Sequence, residues 1–249
     1  MKLYKKGSQE SYTLGVFPTI ELLERKPQIV KRVVVDSTIT ENRGYPKIME
    51  LCNLYHIPLM VHNQTIAKLS PKDNCFAIGI FNIYEDALMD DNHVVLVNPM
   101  DMGNLGTIIR TMIGFEYFNL AIIEPACDYF NPKVIRASMG SLFSIHIQRF
   151  KSFDDYYREY PNHEYYPFML KGAKNIHDLQ TNKKHSLIFG NESKGLDDSY
   201  LKIGQSVFIP HSHLIDSLNL SQSIGIGLYH FSKDKFKDKF KAKFDVNLK

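Results

Sequence analysis

Apolar residues in this chain come in short runs separated by polar stretches, and two periodicities alternate along it. KRVVVDS, IPLMVH, CFAIGIF, HVVLVNP, NLAIIEP, SIHIQRF, YYPFML, HSLIFG and SVFIP are brief and rich in β-branched and aromatic residues, so they predict strands. FPTIELLERK predicts a helix, with Ile20, Leu22 and Leu23 apolar among charged neighbours. Tyr45 to Tyr55 predicts a second helix, with Ile48, Leu51, Cys52 and Tyr55 on one face. AKLSPKDN reads as a helix or turn. Further helices are predicted over NPKVIRASMGSLF, FDDYYREYP, NIHDLQ and LSQSIGIGLYHF, and Pro132 suits a first helical turn. GNLGTIIRTMIGF reads as a loop running into a helix.

Strands that alternate with helices predict an α/β protein with parallel pairing through βαβ units. The acidic, polar stretch Asn82 to Asn92 divides the pattern. Residues 1–85 are expected to form a small α/β domain and 86–92 a linker. Residues 93–231 are expected to form an open α/β sheet with helices on both faces. A Lys/Phe-rich tail, 232–249, completes the chain. In it Phe236, Phe240 and Phe244 recur every four residues, one apolar stripe if helical, suited to the body, a partner, RNA or a membrane surface; a solvated, partly frayed extension reads equally well.

Charge changes the picture only at that tail. Lys233 to Lys249 carries seven lysines and three aspartates, more than the whole excess of +3, so the body is slightly acidic. Basicity therefore does not mark the body as a nucleic-acid face. No apolar run is long enough to cross a bilayer, and MKLYKKGSQESYTLG lacks the apolar segment of a secretory signal. A cytoplasmic address is expected. Cys52, Cys75 and Cys127 are odd in number and widely spaced, with neither a metal signature nor a disulfide framework, and read as buried thiols.

Three polar, glycine-bearing segments each follow a strand: DMGNLGTIIRT after HVVLV, GNESKGL after HSLIF, and DSLNLSQS after SVFIP. Short polar side chains beside buried runs need partners, so they hold a ligand or build a tight turn. Asn104 beside Arg110 suits phosphate or ribose; the pair is also an N-cap with a surface arginine. Gly190 and Gly195 bracket a turn whose N–H groups can cradle a ligand, or a plain connection. Leu218, held between Ser217 and Asn219, suits one face of an adenine pocket. His211 and His213 lack a third spaced ligand, so no metal site is expected. No GxGxxG, Walker lysine loop or GxSxG is present, which disfavours an ordinary dinucleotide fold or a kinase.

Together, Asp101 to Thr111, Leu187 to Leu196, and Ile209–Pro210 with Asp216 to Ser221 resemble the three motifs of the SpoU/TrmH family of RNA ribose 2′-O-methyltransferases, within the SPOUT superfamily. Asn131 to Ser141 is similar to the family's inter-motif segment, and the likeness spans about 93–231. Residues 1–85 resemble, more loosely, its N-terminal RNA-binding substrate domain.

The resemblance implies S-adenosyl-L-methionine as methyl donor, no metal, a C-terminal trefoil knot and a homodimer with active sites near the subunit interface. It implies that Arg110 serves the ribose hydroxyl with support from Asn104, that Glu192 is an orienting acceptor, and that Ser217 and Asn219 order the catalytic loop. It places Gly190, Ile209, Leu218 and Leu170 against the cofactor. Ribosomal RNA is expected ahead of tRNA, because the extra N-terminal domain is typical of rRNA-directed relatives. Met102 stands where proline is frequent, His211 and His213 replace the usual Met and Gly, and Asp216 replaces a common Glu. The rival readings are an RNA-binding protein that keeps the fold without turnover, a base or tRNA methyltransferase, and an interaction module.

Overall fold

The computed structural model describes residues 3–70, 74–172 and 174–245, with side chains described as far as Phe236. Chain contacts divide it into two units: Met1–Asp86 with Asp101–Arg110 and Cys127–Ile145, and Ala87–Met100 with Thr111–Ala126 and His146–Lys249.

The first unit is built on β1 (Glu10–Tyr12), α1 (Val16–Arg25), β2 (Val30–Val35), α2 (Tyr45–Leu54), β3 (Leu59–Val61), α3 (Asn63–Leu69) and β4 (Ala77–Asn82). Its sheet order is β1-β4-β2-β3. Alternation along β2 sets the layers: Val33 and Val35 pack with Leu23, Ile48 and Leu51 of α1 and α2, while Val34 packs with Ile66 and Leu69 of α3. Gly79 lets α1 close on the sheet, since a β-carbon there would stand 2.8 Å from Leu22 Cδ2.

The expected parallel pairing holds for β2 with β3 only. β4 lies antiparallel to β2 and to β1. The apolar run of β4 marks a strand buried on both faces, and composition carries no direction. The segment AKLSPKDN forms α3 up to Leu69, and its residues 71–73 lie outside the described residues.

The chain continues with β5 (His93–Val97), α4 (Met102–Gly114), β6 (Asn119–Ile123), α5 (Pro132–Ala137), β7 (His146–Phe150), α6 (Phe153–Glu159), β8 (Glu164–Pro167), β9 (Lys174–Asn175), β10 (His185–Phe189), β11 (Val207–Phe208) and α7 (Leu220–Asp245). The segment after β6 belongs to the first unit, where Phe143 meets Phe81 edge-on at 5.2 Å and Ser11 Oγ donates to the Phe130 carbonyl.

In the second unit five strands run parallel in the order β7-β6-β5-β10-β8. β6 and β10 are buried along their whole length, as a sheet covered on both faces requires. Phe153 and Tyr156 of α6 cover one face with Val95, Ala121 and Ile188. SVFIP does not join this sheet; Val207–Phe208 pairs with β9 in a separate two-stranded ladder. β5 leads to β6 and β7 on one side, whereas β10 and β8 lie on the other, so the order reverses between β5 and β10. Such a reversal opens a crevice at the carboxyl ends of the strands.

The final helix and the tail form one helix, α7. Phe231 packs on Tyr166 and His185, and Lys235 Nζ pairs with Glu116 at 2.9 Å. The side chains of Phe240 and Phe244, and residues 246–249, lie outside the described residues. Among the described residues no helix is long and apolar enough to cross a membrane.

Candidate functional site

The chain beyond β5 turns at Asn98, whose φ of 53° lies in the left-handed region that asparagine tolerates. Its N–H donates to the Ile123 carbonyl at 3.0 Å, and its Nδ2 donates to the Pro125 carbonyl at 3.3 Å, so the ends of β5 and β6 are tied together. Asp101 then caps α4: its Oδ1 accepts from the Asn104 N–H at 2.7 Å. The helix therefore starts at Met102, and Asn104 and Gly106 are helical, contrary to the loop read from the sequence. The glycine that suggested a loop serves a close approach instead. A β-carbon at Gly106 would stand 2.5 Å from Ala137 Cβ and 2.7 Å from the Val134 carbonyl oxygen of α5. Asn104 is half-buried and Arg110 exposed. Six residues apart on a helix, they sit about 120° from one another around its axis.

Beyond β10 the chain winds into a tight turn. The Gly195 N–H donates to the Asn191 carbonyl at 2.9 Å, and Gly195 takes a φ of 67°. Gly190 packs flat on this turn, with no room for a side chain. Asn191 Oδ1 accepts from the N–H groups of Ser193 and Lys194 at 3.0 and 3.2 Å. Glu192 Oε2 accepts from the Met100 N–H at 3.2 Å, so this carboxylate ties the second-motif turn to the chain just beyond β5.

After β11, His211 Nδ1 lies 2.8 Å from the Ile209 carbonyl and its ring faces Phe208. His211 is half-buried and His213 exposed. Ser217 and Asn219 are exposed, and Leu218 is half-buried between them. Asn219 caps α7, its Oδ1 accepting from the Ser221 N–H at 2.9 Å and from Ser221 Oγ at 2.7 Å. Among the described residues no three His, Cys, Asp or Glu side chains come together as for a metal ion.

The second and third segments enclose a cleft of about 450 Å³. Leu170, Gly190, Glu192, Ile209, Ser217 and Leu218 all line it. Asn219 stands beside it as the helix cap, whereas Asn104 and Arg110 belong to the other unit. Sequence reasoning missed its aromatic floor. Phe168 and Phe189 stack at 4.3 Å with 17° between planes, and Phe208 adds a third ring to the lining. Gly227 of α7 makes room for the stack, since a β-carbon there would stand 3.1 Å from Phe168 Cζ. A signal was present: a phenylalanine sits at the carboxyl end of YYPF, HSLIF and SVF alike.

This lining fits S-adenosylmethionine. The volume falls within the range usual for small-ligand clefts, about 300–1,000 Å³. Leu170, Leu196, Ile209 and Leu218 offer apolar surface to a purine, and Glu192, Asp198 and Ser217 offer oxygen atoms to ribose hydroxyls and a charged amine.

Known proteins resemble this chain in sequence and in fold. A 23S rRNA (guanosine-2′-O)-methyltransferase of Bacillus subtilis is 29% identical over 156 residues. The match takes in 61% of this chain and 62% of that protein, less than two thirds of its length. The SpoU methyltransferase AviRb of Streptomyces viridochromogenes, solved in complex with AdoMet, shares the fold. Its TM-score is 0.77, with 21% identity and 92% of this chain and 91% of that one covered. A structure solved for the 2-OH methylation of C/U34 on tRNA gives a TM-score of 0.52 and 26% identity. It covers 55% of this chain and 91% of that one. Residues 91–229, more than half of the sequence, match the SpoU rRNA Methylase family, and the chain belongs to that family.

Proposed function

We propose that this chain transfers a methyl group from S-adenosylmethionine to a ribose 2′-hydroxyl of structured RNA, with ribosomal RNA as the substrate class. The observation that carries this reading is the cleft: Leu170, Gly190, Ile209 and Leu218, the four residues expected against the cofactor, line one cavity with Glu192 and Ser217. S-adenosylmethionine, when bound, supplies a sulfonium-activated methyl group, which leaves the protein to position and stabilise.

Ile209 and Leu218 hold the purine, and the Gly190–Leu196 turn presents backbone groups beside it. Glu192 acts as an orienting acceptor. Ser217 and Asn219 order the ribose side through the start of α7. A guanidinium offers donors and no acceptor, so Arg110 orients the ribose and stabilises the developing alkoxide rather than removing the proton. Asn104 supports it from about one and two-thirds helical turns earlier.

In this reading residues 1–85 place the RNA, 86–92 are a linker, 93–231 carry the methyl transfer, and the Lys/Phe tail 232–249 is peripheral. The position of β10 between β5 and β8 suits a trefoil knot closed by α7. A homodimer is supported by apolar side chains left open beside the third motif: Leu214 is 93% exposed, and Ile226 and Tyr229 of α7 are exposed too. The tRNA-related structure is matched over 91% of its length by 55% of this chain, whereas only 62% of the Bacillus relative, named for 23S rRNA, is matched. That contrast favours ribosomal RNA and, with it, a cytoplasmic site of action.

The test is to map 2′-O-methyl positions in total RNA from cells with and without the gene. One ribosomal position lost with the gene and restored by the purified chain with S-adenosylmethionine is the expected result. An unchanged ribosomal map with a lost tRNA position would move the substrate to tRNA, and an unchanged total map would sink the activity.

A further inference from the structure

We propose that Asn191 is a positioning residue for the cofactor cleft, holding the second-motif turn on the end of β5 through the carbonyl of Asn98. This inference rests on the cofactor reading above and gives a role to a second-motif residue to which the resemblance assigned none.

Asn191 uses both ends of its side-chain amide. Oδ1 faces inward to the turn and accepts from Ser193 and Lys194 N–H. Nδ2 faces outward and donates to the Asn98 carbonyl at 2.8 Å and to Glu192 Oε2 at 3.2 Å. This orientation is set by its surroundings. A flipped amide would aim its NH2 at two N–H groups and its oxygen at a carbonyl and a carboxylate, losing all four bonds.

The acceptor is equally well placed. The positive φ of Asn98 re-aims the chain at the end of β5. Its N–H on the Ile123 carbonyl and its Nδ2 on the Ile123 and Pro125 carbonyls, at 3.4 and 3.3 Å, fix that residue on the end of β6. Two asparagines therefore join the ends of β5, β6 and β10. The turn they hold contributes Gly190 through Leu196 to the cleft wall. Glu192 receives its second donor, the Met100 N–H, from the same strand end. The inner bonds shape the turn, and the outer bonds place it, so the two roles can be separated by substitution.

Asn191→Asp separates them. A carboxylate keeps the acceptor for Ser193 and Lys194 but brings oxygen against the Asn98 carbonyl and negative charge against Glu192. Asn191→Ser is the second variant, because its hydroxyl can close the turn as a short acceptor and cannot reach Asn98. The experiment uses the full chain: calorimetric titration with S-adenosylmethionine, hydrogen exchange of the 190–196 amides without ligand, and thermal unfolding. Both variants are expected to weaken S-adenosylmethionine by about tenfold or more, the scale of one lost charge-assisted bond. They should also speed exchange in 190–196 and leave the unfolding temperature close to that of the wild type. For methyl transfer, KM for S-adenosylmethionine should rise while kcat at saturating cofactor holds. Wild-type exchange and affinity in both variants would overturn the role of Asn191. A fall in unfolding temperature with unchanged cofactor affinity would overturn it too, by making the bond merely structural. Failure of the wild-type chain to bind S-adenosylmethionine would overturn the cofactor reading instead, and the exchange comparison would still judge the tether.

Discussion

Gly190 and Gly195 touch backbone to backbone: a β-carbon on Gly190 would lie 2.1 Å from the carbonyl carbon of Gly195 and 2.4 Å from its oxygen. The atoms in the way are main chain and cannot swing aside. Gly190→Ala should therefore push the turn off β10, at a cost of about 3 kcal/mol or more, the upper range for overpacking. The turn is cleft wall, so S-adenosylmethionine affinity should fall more steeply than stability. Calorimetry and thermal unfolding on the variant decide it, and wild-type affinity would mean that the turn has another way to close.

The start of α4 gives a sign test. Alanine normally favours a helix over glycine by about 1 kcal/mol. At Gly106 that gain meets Ala137 Cβ at 2.5 Å and the Val134 carbonyl oxygen at 2.7 Å. At Gly114, the last residue of the same helix, a β-carbon meets nothing within 4 Å. Gly106→Ala should lower stability by about 1–3 kcal/mol, whereas Gly114→Ala should leave it unchanged or raise it by up to about 1 kcal/mol. Denaturant midpoints for both variants check the pair, and equal signs would contradict the close packing of α4 on α5.

These glycines also show where sequence reading stops. β5, β6 and β10 were legible because HVVLV, NLAII and HSLIF are short and largely apolar, as strands covered on both faces are, and β6 and β10 are buried along their whole length. The antiparallel setting of β4 was not legible, since the same apolar run serves either direction. β1 has three residues and no apolar run, so nothing marked it. Gly106 read as loop because its need for space comes from α5, which is remote in sequence. In the site, Gly190, Ile209 and Leu218 were legible through motif order. Phe168, Phe189 and Phe208 look like ordinary strand residues until three strand ends meet. Asn98 and Asn191 escaped for a similar reason: a turn asparagine announces its own bend, not the carbonyl that it reaches.

The buried histidines at the opposite end of the second sheet predict acid sensitivity. His93 is fully buried, with Nε2 2.8 Å from the Met89 carbonyl and Nδ1 2.8 Å from Tyr156 Oη. A carbonyl only accepts, so Nε2 carries the proton and Nδ1 accepts from Tyr156. Burial, aided by nearby His163 and opposed by the Met89 carbonyl, Asp91 and Asp90, pushes His93 down from 6.5 to about 4. Burial also lowers His163 and His185. A histidine lowered in the folded state binds its proton first in the unfolded chain. Stability is then full above about 6.5 and falls as pH drops toward 4, by up to about 3 kcal/mol for His93. Glu164 titrates lower: hydrogen bonds from Thr181, Lys183 and Tyr166 hold it at about 2, so its contribution fades from 4.5 downward. Unfolding free energy measured at intervals from pH 7 to 4.5 should decline, and a flat profile there would remove the neutral, buried His93.

Arg110 lies on the exposed face of α4, so its replacement opens no core and tests the role proposed for it. Exposed substitutions usually change stability by less than about 0.5 kcal/mol. Arg110→Ala should thus fold normally and bind S-adenosylmethionine as the wild type does, because among the described residues the lining of that cleft comes from 168–223. Methyl transfer should fall by about 100-fold or more, the usual effect of removing a donor aimed at developing negative charge. Arg110→Lys keeps the charge but replaces a planar fork with a point donor, so it should recover only part of the loss. Single-turnover transfer at saturating S-adenosylmethionine isolates the step. Unchanged turnover in the alanine variant would remove Arg110 from the mechanism. Full recovery in the lysine variant would reduce its role to charge alone, since orientation of the ribose needs the two parallel N–H groups that lysine lacks.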